Sequence, residues 1–196
     1  MTKHVDFYYD FGSPTAYLAW TQLPAICARH NAQLNYQPIL LGGVFKAVEN
    51  TSPVTIKPKG EWLFADIIRF AERYGVPFEM NPYFILNTLG IMRGAIWAKQ
   101  AGCIEPYNTA MYQAVWVNGR DMTNPDEIAA VVNEAGLDAG AMAEAVQSPE
   151  IKQGLIQATE ASVARGLFGA PTMFVNGEMH FGQDRLEWVE AALAVS

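Results

Sequence analysis

The spacing of apolar residues changes along the chain from strand-like to helical and back again. Residues 5–10 are aromatic and β-branched, which is typical of a strand. From Pro14 onward apolar residues recur every three to four positions, which predicts a helix with proline in its first turn and Ser13 as its N-cap. Pro24 is predicted to kink that helix or to make it restart. A second strand is predicted at residues 34–39, in a strand-helix-strand unit that is normally parallel and right-handed.

The middle of the chain is predicted to be almost wholly helical. Residues 41–59 contain adjacent glycines and two prolines, and they are predicted to form a long loop. Between residues 61 and 166 helical spacing dominates, and glycines and capping residues mark where helices end or begin. These signals are Gly75, Gly102, Asn124, Gly136, Asp138, Ser148 and Gly166.

Strand signals return near the end of the chain. Residues 172–175 are predicted to form one strand, Asn176-Gly177 a tight hairpin turn, and residues 178–181 the return strand. Asp184 is predicted to cap a last helix at residues 185–194.

The predicted order of elements is therefore β-α-β, a block of helices, and β-β-α. The two groups of strands can join into one mixed sheet, which predicts an α/β fold carrying an inserted all-helical domain. Residues 1–59 and 167–196 are assigned to the sheet domain, and residues 60–166 to the insertion.

Composition and charge exclude several classes of function. A net charge of −7 over 196 residues, with 51% apolar residues, is typical of a globular chain and argues against nucleic acid as a partner. No segment has the roughly 18 apolar residues that a membrane-spanning helix needs, and the first residues form no apolar leader. Cys27 and Cys103 lie far apart and the histidines are scattered, so we expect reduced cysteines, no metal site and a cytoplasmic location.

The order of elements is that of the thioredoxin fold, in which two turns meet at the active site. One turn is Phe11-Gly12-Ser13-Pro14, between the first strand and the first helix. The other is Gly169-Ala170-Pro171-Thr172, where Pro171 is expected to follow a cis peptide bond.

Four motifs in this order carry a family resemblance. They are Asp10-Phe11-Gly12-Ser13-Pro14, Gly42-Gly43 followed by Lys46 and Asn50, Gly169-Ala170-Pro171-Thr172, and Phe181-Gly182-Gln183-Asp184-Arg185-Leu186. Together they resemble the kappa-class glutathione transferases and the 2-hydroxychromene-2-carboxylate isomerases of the DsbA-like superfamily. The resemblance covers nearly the whole chain and implies a thioredoxin-like fold of the DsbA/kappa type, glutathione as the cofactor, and a homodimer. Asn87-Thr88-Leu89 resembles the isomerase branch.

Ser13 is the expected catalytic residue. Redox members of the superfamily place a cysteine at this helix end, where the partial positive charge favours a thiolate. A serine cannot exchange disulfides, but its hydroxyl can donate a hydrogen bond to a thiolate. The resemblance therefore implies that Ser13 binds glutathione and that glutathione brings the sulfur. The position of the second redox cysteine is also vacant, because Ala16 stands there.

The resemblance implies further contacts to glutathione. Ala170 and Pro171 would pair with its cysteinyl part, as an added strand does. The residues before the last helix would bind its γ-glutamyl part: Phe181, Gly182, Gln183, Asp184 and Arg185. Asp184 could instead only cap that helix, and Arg185 could pair with a nearby carboxylate.

Other candidates would bind the substrate. The resemblance implies that Lys46 and Asn50 line the pocket and contact glutathione or substrate. Lys46 would suit a substrate carboxylate, with Lys57 and Lys59 as weaker candidates for the same task. Tyr83 and Asn87 are the candidates from the helical insertion. Helical spacing favours core packing, rather than a substrate cavity, for the aromatic residues Trp62, Phe64, Phe70, Trp97 and Trp116.

The resemblance to the isomerases implies a small aromatic carboxylate substrate. It would be 2-hydroxychromene-2-carboxylate, converted to trans-o-hydroxybenzylidenepyruvate in aromatic hydrocarbon catabolism. The glutathione thiolate would add to the ring-opened conjugated form, allow rotation about the bond that has become single, and leave again. Two alternatives stay open: a kappa-like transferase or peroxidase that acts on another electrophile, and a non-catalytic glutathione-binding relative of the disulfide oxidoreductases.

Overall fold

A four-stranded mixed sheet lies at the centre of the computed structural model, which describes residues 3–195. Its strands are β1 (His4–Tyr9), β2 (Gln33–Pro38), β3 (Thr172–Val175) and β4 (Glu178–Phe181), in the order β2-β1-β3-β4. β1 runs parallel to β2, whereas β3 is antiparallel to both β1 and β4. The predicted joining of the two ends of the chain into one sheet is confirmed.

Helix α1 (Pro14–Arg29) connects the two parallel strands. The Ser13 hydroxyl oxygen accepts a hydrogen bond from the Ala16 amide at 3.1 Å, which confirms the predicted N-cap. The helix continues through Pro24, so the predicted restart is wrong. Proline removes one donor at that point, but the apolar face stays packed, with Leu23 fully buried in the core.

The segment predicted as a long loop is largely helical. It contains α2 (Leu41–Ala47), a short 3-10 turn (Pro53–Thr55) and the start of α3 (Lys57–Tyr74). The loop prediction is wrong. At its end, Pro58 stands in the first turn of α3, where a missing N–H has no cost. At the other end α3 stops as predicted, at Gly75 in the left-handed conformation.

The remaining helices agree with the predicted start and stop signals. They are α4 (Leu89–Gln100), α5 (Ile104–Trp116), α6 (Pro125–Glu134), α7 (Ala139–Ala145), α8 (Pro149–Ala164) and α9 (Leu186–Ala194). Side chains of Asn124, Asp138 and Ser148 accept hydrogen bonds from first-turn amides of α6, α7 and α8.

The predicted cap of the last helix is wrong. A 3-10 turn, Gln183–Arg185, precedes α9, and no side chain caps that helix. The Asp184 carboxylate instead accepts a hydrogen bond from the Arg185 guanidinium at 2.6 Å. A neighbouring charged donor thus competes successfully with the backbone amides for this carboxylate.

One hydrophobic core joins the sheet to the helical segment. Buried aromatic rings link them: Phe11, two residues after β1, packs against Tyr112 of α5, with ring centroids 4.9 Å apart. Trp116 is fully buried, as helical spacing predicted, whereas Trp62 is 61% exposed and not in the core. The predicted boundary between residues 59 and 60 falls inside α3.

Candidate active site

The turn between β1 and α1 presents Ser13 at the positive end of the helix. Both peptide groups of Phe11 are held from the helical segment: its carbonyl accepts from the Trp116 indole at 2.7 Å, and its amide contacts Met92 Sδ at 3.5 Å. The Ser13 amide donates to the Asp10 carbonyl at 3.0 Å. The turn is therefore fixed on both sides before any ligand binds.

Asp10 is a buried anchor for this turn. Its side chain is 1% exposed, and its carboxylate accepts from the Gly12 amide at 2.9 Å and the Leu41 amide at 2.8 Å. The Thr88 hydroxyl donates to the same carboxylate at 3.1 Å. Burial raises the pKa of Asp10, and the three donors oppose that rise by stabilising the charge. One side chain thus ties together the Ser13 turn, α2 and the residue before α4.

Ser13 meets the second predicted turn directly. Its hydroxyl donates to the Ala170 carbonyl at 3.1 Å, and the Thr15 hydroxyl lies 3.0 Å from the Ser13 oxygen and 3.4 Å from that carbonyl. The Ala170–Pro171 peptide bond is cis, as predicted. The two turns that the thioredoxin order predicts to meet therefore do meet.

A cavity of about 500 Å³ opens on this pair of turns. All the predicted glutathione-contacting residues line it. Asn50 lies on the loop after α2, and the others lie at the two turns and before α9: Ser13, Ala170, Pro171, Phe181, Gly182, Gln183, Asp184 and Arg185. Aromatic side chains form much of the remaining wall: Phe45, Trp62, Phe64, Phe84 and Phe168. Sequence reasoning missed this role of Trp62 and Phe64, because helical spacing does not distinguish a face that covers the core from one that lines a cavity.

The loops around the cavity are cross-linked by short polar contacts. The Asn50 side-chain nitrogen donates to the Phe168 carbonyl at 2.9 Å, and its side-chain oxygen accepts from the Thr51 backbone amide at 2.8 Å. The Tyr74 hydroxyl donates to the Gln183 carbonyl at 2.7 Å. These contacts connect the segment after α2 and helix α3 to the two loops that flank the β3–β4 hairpin.

Gly182 allows the chain to turn sharply into the cavity wall. Its φ of 104° lies in the region that side chains rarely adopt, and a Cβ atom there would lie 2.5 Å from an Asp184 carboxylate oxygen. Any other residue at this position would displace the Asp184–Arg185 pair, which lines the cavity.

Three predicted substrate residues lie outside the cavity. Lys46 points from the other face of α2 into a separate cavity. Tyr83 is 51% exposed, and the Asn87 side-chain oxygen accepts from the Leu89 amide at 3.0 Å at the start of α4. The alternative candidate Lys59 does line the Ser13 cavity. Because the sequence analysis did not predict α2, it could not show that Lys46 lies on the face of this helix away from the Ser13 cavity.

Within residues 3–195 no cluster of histidine, cysteine or acidic side chains is arranged to hold a metal ion. In the same residues no helix has the length and apolar character needed to cross a membrane.

Comparisons with known proteins place the chain in a family. Residues 4–194 match the model of the DSBA-like thioredoxin domain. A 2-hydroxychromene-2-carboxylate isomerase from Sphingobium xenophagum is 34% identical over 98% of this chain and 99% of its own. Human glutathione S-transferase kappa 1 is 27% identical over 95% of this chain and 89% of its own. A solved 2-hydroxychromene-2-carboxylate isomerase superposes with a TM-score of 0.90, at 30% identity over 98% of this chain and 95% of that one. The chain therefore belongs to the DsbA-like thioredoxin family, in the branch of the 2-hydroxychromene-2-carboxylate isomerases and kappa-class glutathione transferases.

Proposed function

We propose that this chain is a glutathione-dependent isomerase that converts 2-hydroxychromene-2-carboxylate to trans-o-hydroxybenzylidenepyruvate in aromatic hydrocarbon catabolism. The observation that carries the proposal is Ser13, a helix-capping serine in the wall of an aromatic-lined cavity. Relatives that bear the isomerase name match nearly the whole chain, which supports the same reaction here.

The chain's own thiols are poorly suited to act as the nucleophile. Cys27 is buried, and burial raises the pKa of its thiol to about 11. Burial also raises the pKa of Cys103, and neither cysteine lines the Ser13 cavity. A thiol with a raised pKa is mostly protonated and unreactive at neutral pH. Bound glutathione supplies a thiolate, a nucleophile that can add to a conjugated carbon and depart again.

The Ser13 hydroxyl can redirect its hydrogen bond toward a ligand without leaving the Ala170 carbonyl unpaired. A serine hydroxyl has one proton, which it donates here to the Ala170 carbonyl. The Thr15 hydroxyl, 3.4 Å from the same carbonyl, can take over that acceptor when Ser13 turns toward a thiolate. The first amides of α1 add a positive field at the same point. Ser13 and the helix end would therefore stabilise a thiolate together.

The donor set of the cavity fits glutathione. Lys59 and Arg185 are cations for its carboxylates, and Asp184 is an anion for its ammonium group. Ala170 offers peptide groups next to the cis bond for its cysteinyl part. The Asn50 side chain already bonds two loop peptides, so we propose that it shapes this wall as well as contacting the ligand.

The test follows 2-hydroxychromene-2-carboxylate spectrophotometrically, with and without glutathione, in wild type and two serine variants. Ser13→Ala removes the cavity hydroxyl. Ser148→Ala is the matched control, because Ser148 also caps a helix that begins with proline and accepts from the Ile151 amide at 3.2 Å. Each loss of a cap should lower the free energy of unfolding by about 1 kcal/mol.

Activity should separate the two variants. We expect kcat/KM to fall by about a hundredfold in Ser13→Ala, as for other donors to a developing anion, and to be unchanged in Ser148→Ala. Glutathione should be required but not consumed. Stoichiometric loss of glutathione would identify a transferase instead, and glutathione binding without any turnover would remove the enzymatic assignment.

We also propose a cytoplasmic homodimer. Both cysteines are free, which agrees with a reducing compartment. Trp188 and Met179 expose apolar side chains on neighbouring elements, which favours a covered surface. Light scattering of the purified protein tests the dimer, and a monomeric mass at micromolar concentration would exclude it.

A further inference from the structure

A second cavity lies on the far side of α2 from the Ser13 cavity. Its volume is about 580 Å³, and its walls come from α2, α4 and α8 and from Leu40, the residue that precedes α2. The apolar part of the wall is aliphatic: Leu40, Leu89, Leu155, Ile156 and Val163. No aromatic ring lines it, in contrast to the Ser13 cavity. The volume falls within the range of small-molecule sites, roughly 300–1,000 Å³.

Three cations surround this aliphatic wall. Lys46, Arg93 and Lys152 lie on α2, α4 and α8, against a single carboxylate, that of Glu160. None of the four side chains forms an ion pair with any of residues 3–195. The cavity therefore combines an apolar body with an excess of unpaired positive charge.

Arg93 departs from the other arginines of the described chain. Each of the others lies within 3.5 Å of a carboxylate: Arg29, Arg69, Arg73, Arg120, Arg165 and Arg185. The Arg93 Nε atom, by contrast, is buried and has no hydrogen-bond partner. Buried polar groups are nearly always satisfied by a partner, and arginine is particularly suited to a carboxylate.

The other polar group in the wall is already satisfied. The Thr159 hydroxyl donates to the Leu155 carbonyl at 2.7 Å and accepts from the Leu40 amide at 3.0 Å. The groups of the wall that lack a partner within the described residues are therefore mostly cations, and they lie beside the aliphatic surface.

We propose that this cavity binds an aliphatic carboxylate, with the chain against α4 and α8 and the carboxylate at Arg93, Lys46 and Lys152. Such a ligand buries its hydrocarbon on the leucine and isoleucine side chains. Its carboxylate pairs with the Arg93 guanidinium, which lines the cavity and forms no ion pair within residues 3–195. The site is separate from Ser13, so it does not depend on the proposed isomerase activity.

Isothermal titration of the full chain with decanoate tests the site, and decan-1-ol serves as the uncharged probe. Wild type should bind one decanoate per chain, at least tenfold more tightly than decan-1-ol. Arg93→Gln should weaken decanoate at least tenfold and leave decan-1-ol unchanged. Lys59→Gln, which removes a cation from the Ser13 cavity, should leave decanoate within twofold of wild type.

A second variant keeps the test sharp if Arg93→Gln unfolds. Ile156 is 48% exposed in the wall, so Ile156→Glu adds a repelling carboxylate at a position where glutamate suits the helix. It should also weaken decanoate at least tenfold. The proposal would be overturned if decanoate binding did not saturate, or if Ile156→Glu bound decanoate as tightly as wild type. It would also be overturned if Lys59→Gln weakened decanoate binding, because that would place decanoate in the Ser13 cavity.

Discussion

Replacing a glycine of α4 by alanine should change the stability of the protein in opposite directions at Gly94, which is tightly packed, and at Gly90, which has open space beside it. A Cβ atom at Gly94 would overlap the Tyr107 hydroxyl oxygen and lie 2.7 Å from Tyr107 Cζ. Tyr107 cannot easily turn away, because it is fully buried and its hydroxyl donates to the Ile91 carbonyl at 2.8 Å. Gly90, one turn earlier on the same helix, has its nearest neighbouring atom at 3.9 Å. Gly90→Ala is therefore the matched control for Gly94→Ala.

The magnitude of the effect at Gly94 combines three contributions. Overpacking a core costs about 1–3 kcal/mol. Displacing the Tyr107 hydroxyl costs a further 1–3 kcal/mol or so for the buried hydrogen bond, and alanine returns about 1 kcal/mol of helix propensity. We expect a net loss of about 3 kcal/mol, which lowers Tm by roughly 6–12 °C in a chain of this size. Gly90→Ala should raise Tm by up to about 4 °C.

Thermal unfolding followed by circular dichroism measures both variants. Gly94→Ala combined with Tyr107→Phe should recover only part of the loss, because the overlap with the oxygen is removed and the close contact with Cζ remains. If Gly94→Ala melts at the same temperature as Gly90→Ala, Tyr107 does not pack against α4 as described.

Two further substitutions, at Arg165 and Asp10, test polar contacts made in and next to strand β1. Burial opposes the charge of Asp6, but the Arg165 guanidinium at 2.7 Å and a neighbouring amide lower its pKa below the usual range. Arg165→Gln should therefore reduce the free energy of unfolding, measured with urea, by about 1 kcal/mol at neutral pH. A lowered pKa stabilises the fold above the ordinary value of 3.8, so this difference should shrink as the pH falls through 3.8 and below. Asp10→Asn replaces one acceptor oxygen by an amide donor. It should therefore lower the free energy of unfolding by about 1–3 kcal/mol in the same assay, and it should also lower turnover. Turnover equal to that of wild type would show that the Ser13 turn does not need Asp10.

Local signals predicted the helix boundaries well. A cap is a contact between residues two or three positions apart, so Ser13, Asn124, Asp138 and Ser148 were visible from the sequence. The same reasoning failed at Asp184. Its carboxylate could bind either the first amides of α9 or the neighbouring Arg185 guanidinium, and both are close in sequence, so the sequence does not show which partner it takes.

Helix α2 was missed because distant residues stabilise it. Its adjacent glycines disfavour a helix locally, by about 1 kcal/mol each relative to alanine. The amides at its start instead bind Thr159, 119 residues away, and Asp10, 31 residues away. Gly43 also lets α8 approach closely, since a Cβ there would lie 3.2 Å from a Thr159 methyl group. Contacts of this range are absent from any local pattern.

The position of Lys46 also depends on α2. The family resemblance implied that Lys46 and Asn50, both in the predicted loop, line one pocket. With α2 in place, Phe45 faces the Ser13 cavity and Lys46 faces the aliphatic one. A helix between two cavities directs neighbouring residues to different cavities, and the sequence motif that contains Lys46 does not show which cavity this lysine lines.

The fold and the residue at position 13 make separate contributions to the chemistry. The positive end of α1 and the Ala170 turn are set by backbone geometry and would favour a thiolate whichever sulfur occupied the cavity. A cysteine there would be a resident nucleophile, limited to disulfide exchange unless the cavity also admitted a second substrate. Serine keeps the cap but carries no sulfur, so under the proposed function a separate thiol would enter the cavity together with an aromatic electrophile, beside Phe45, Trp62 and Phe84. A nucleophile borrowed from a bound thiol would require room for two ligands, and the proposed function therefore places both of them in this aromatic cavity.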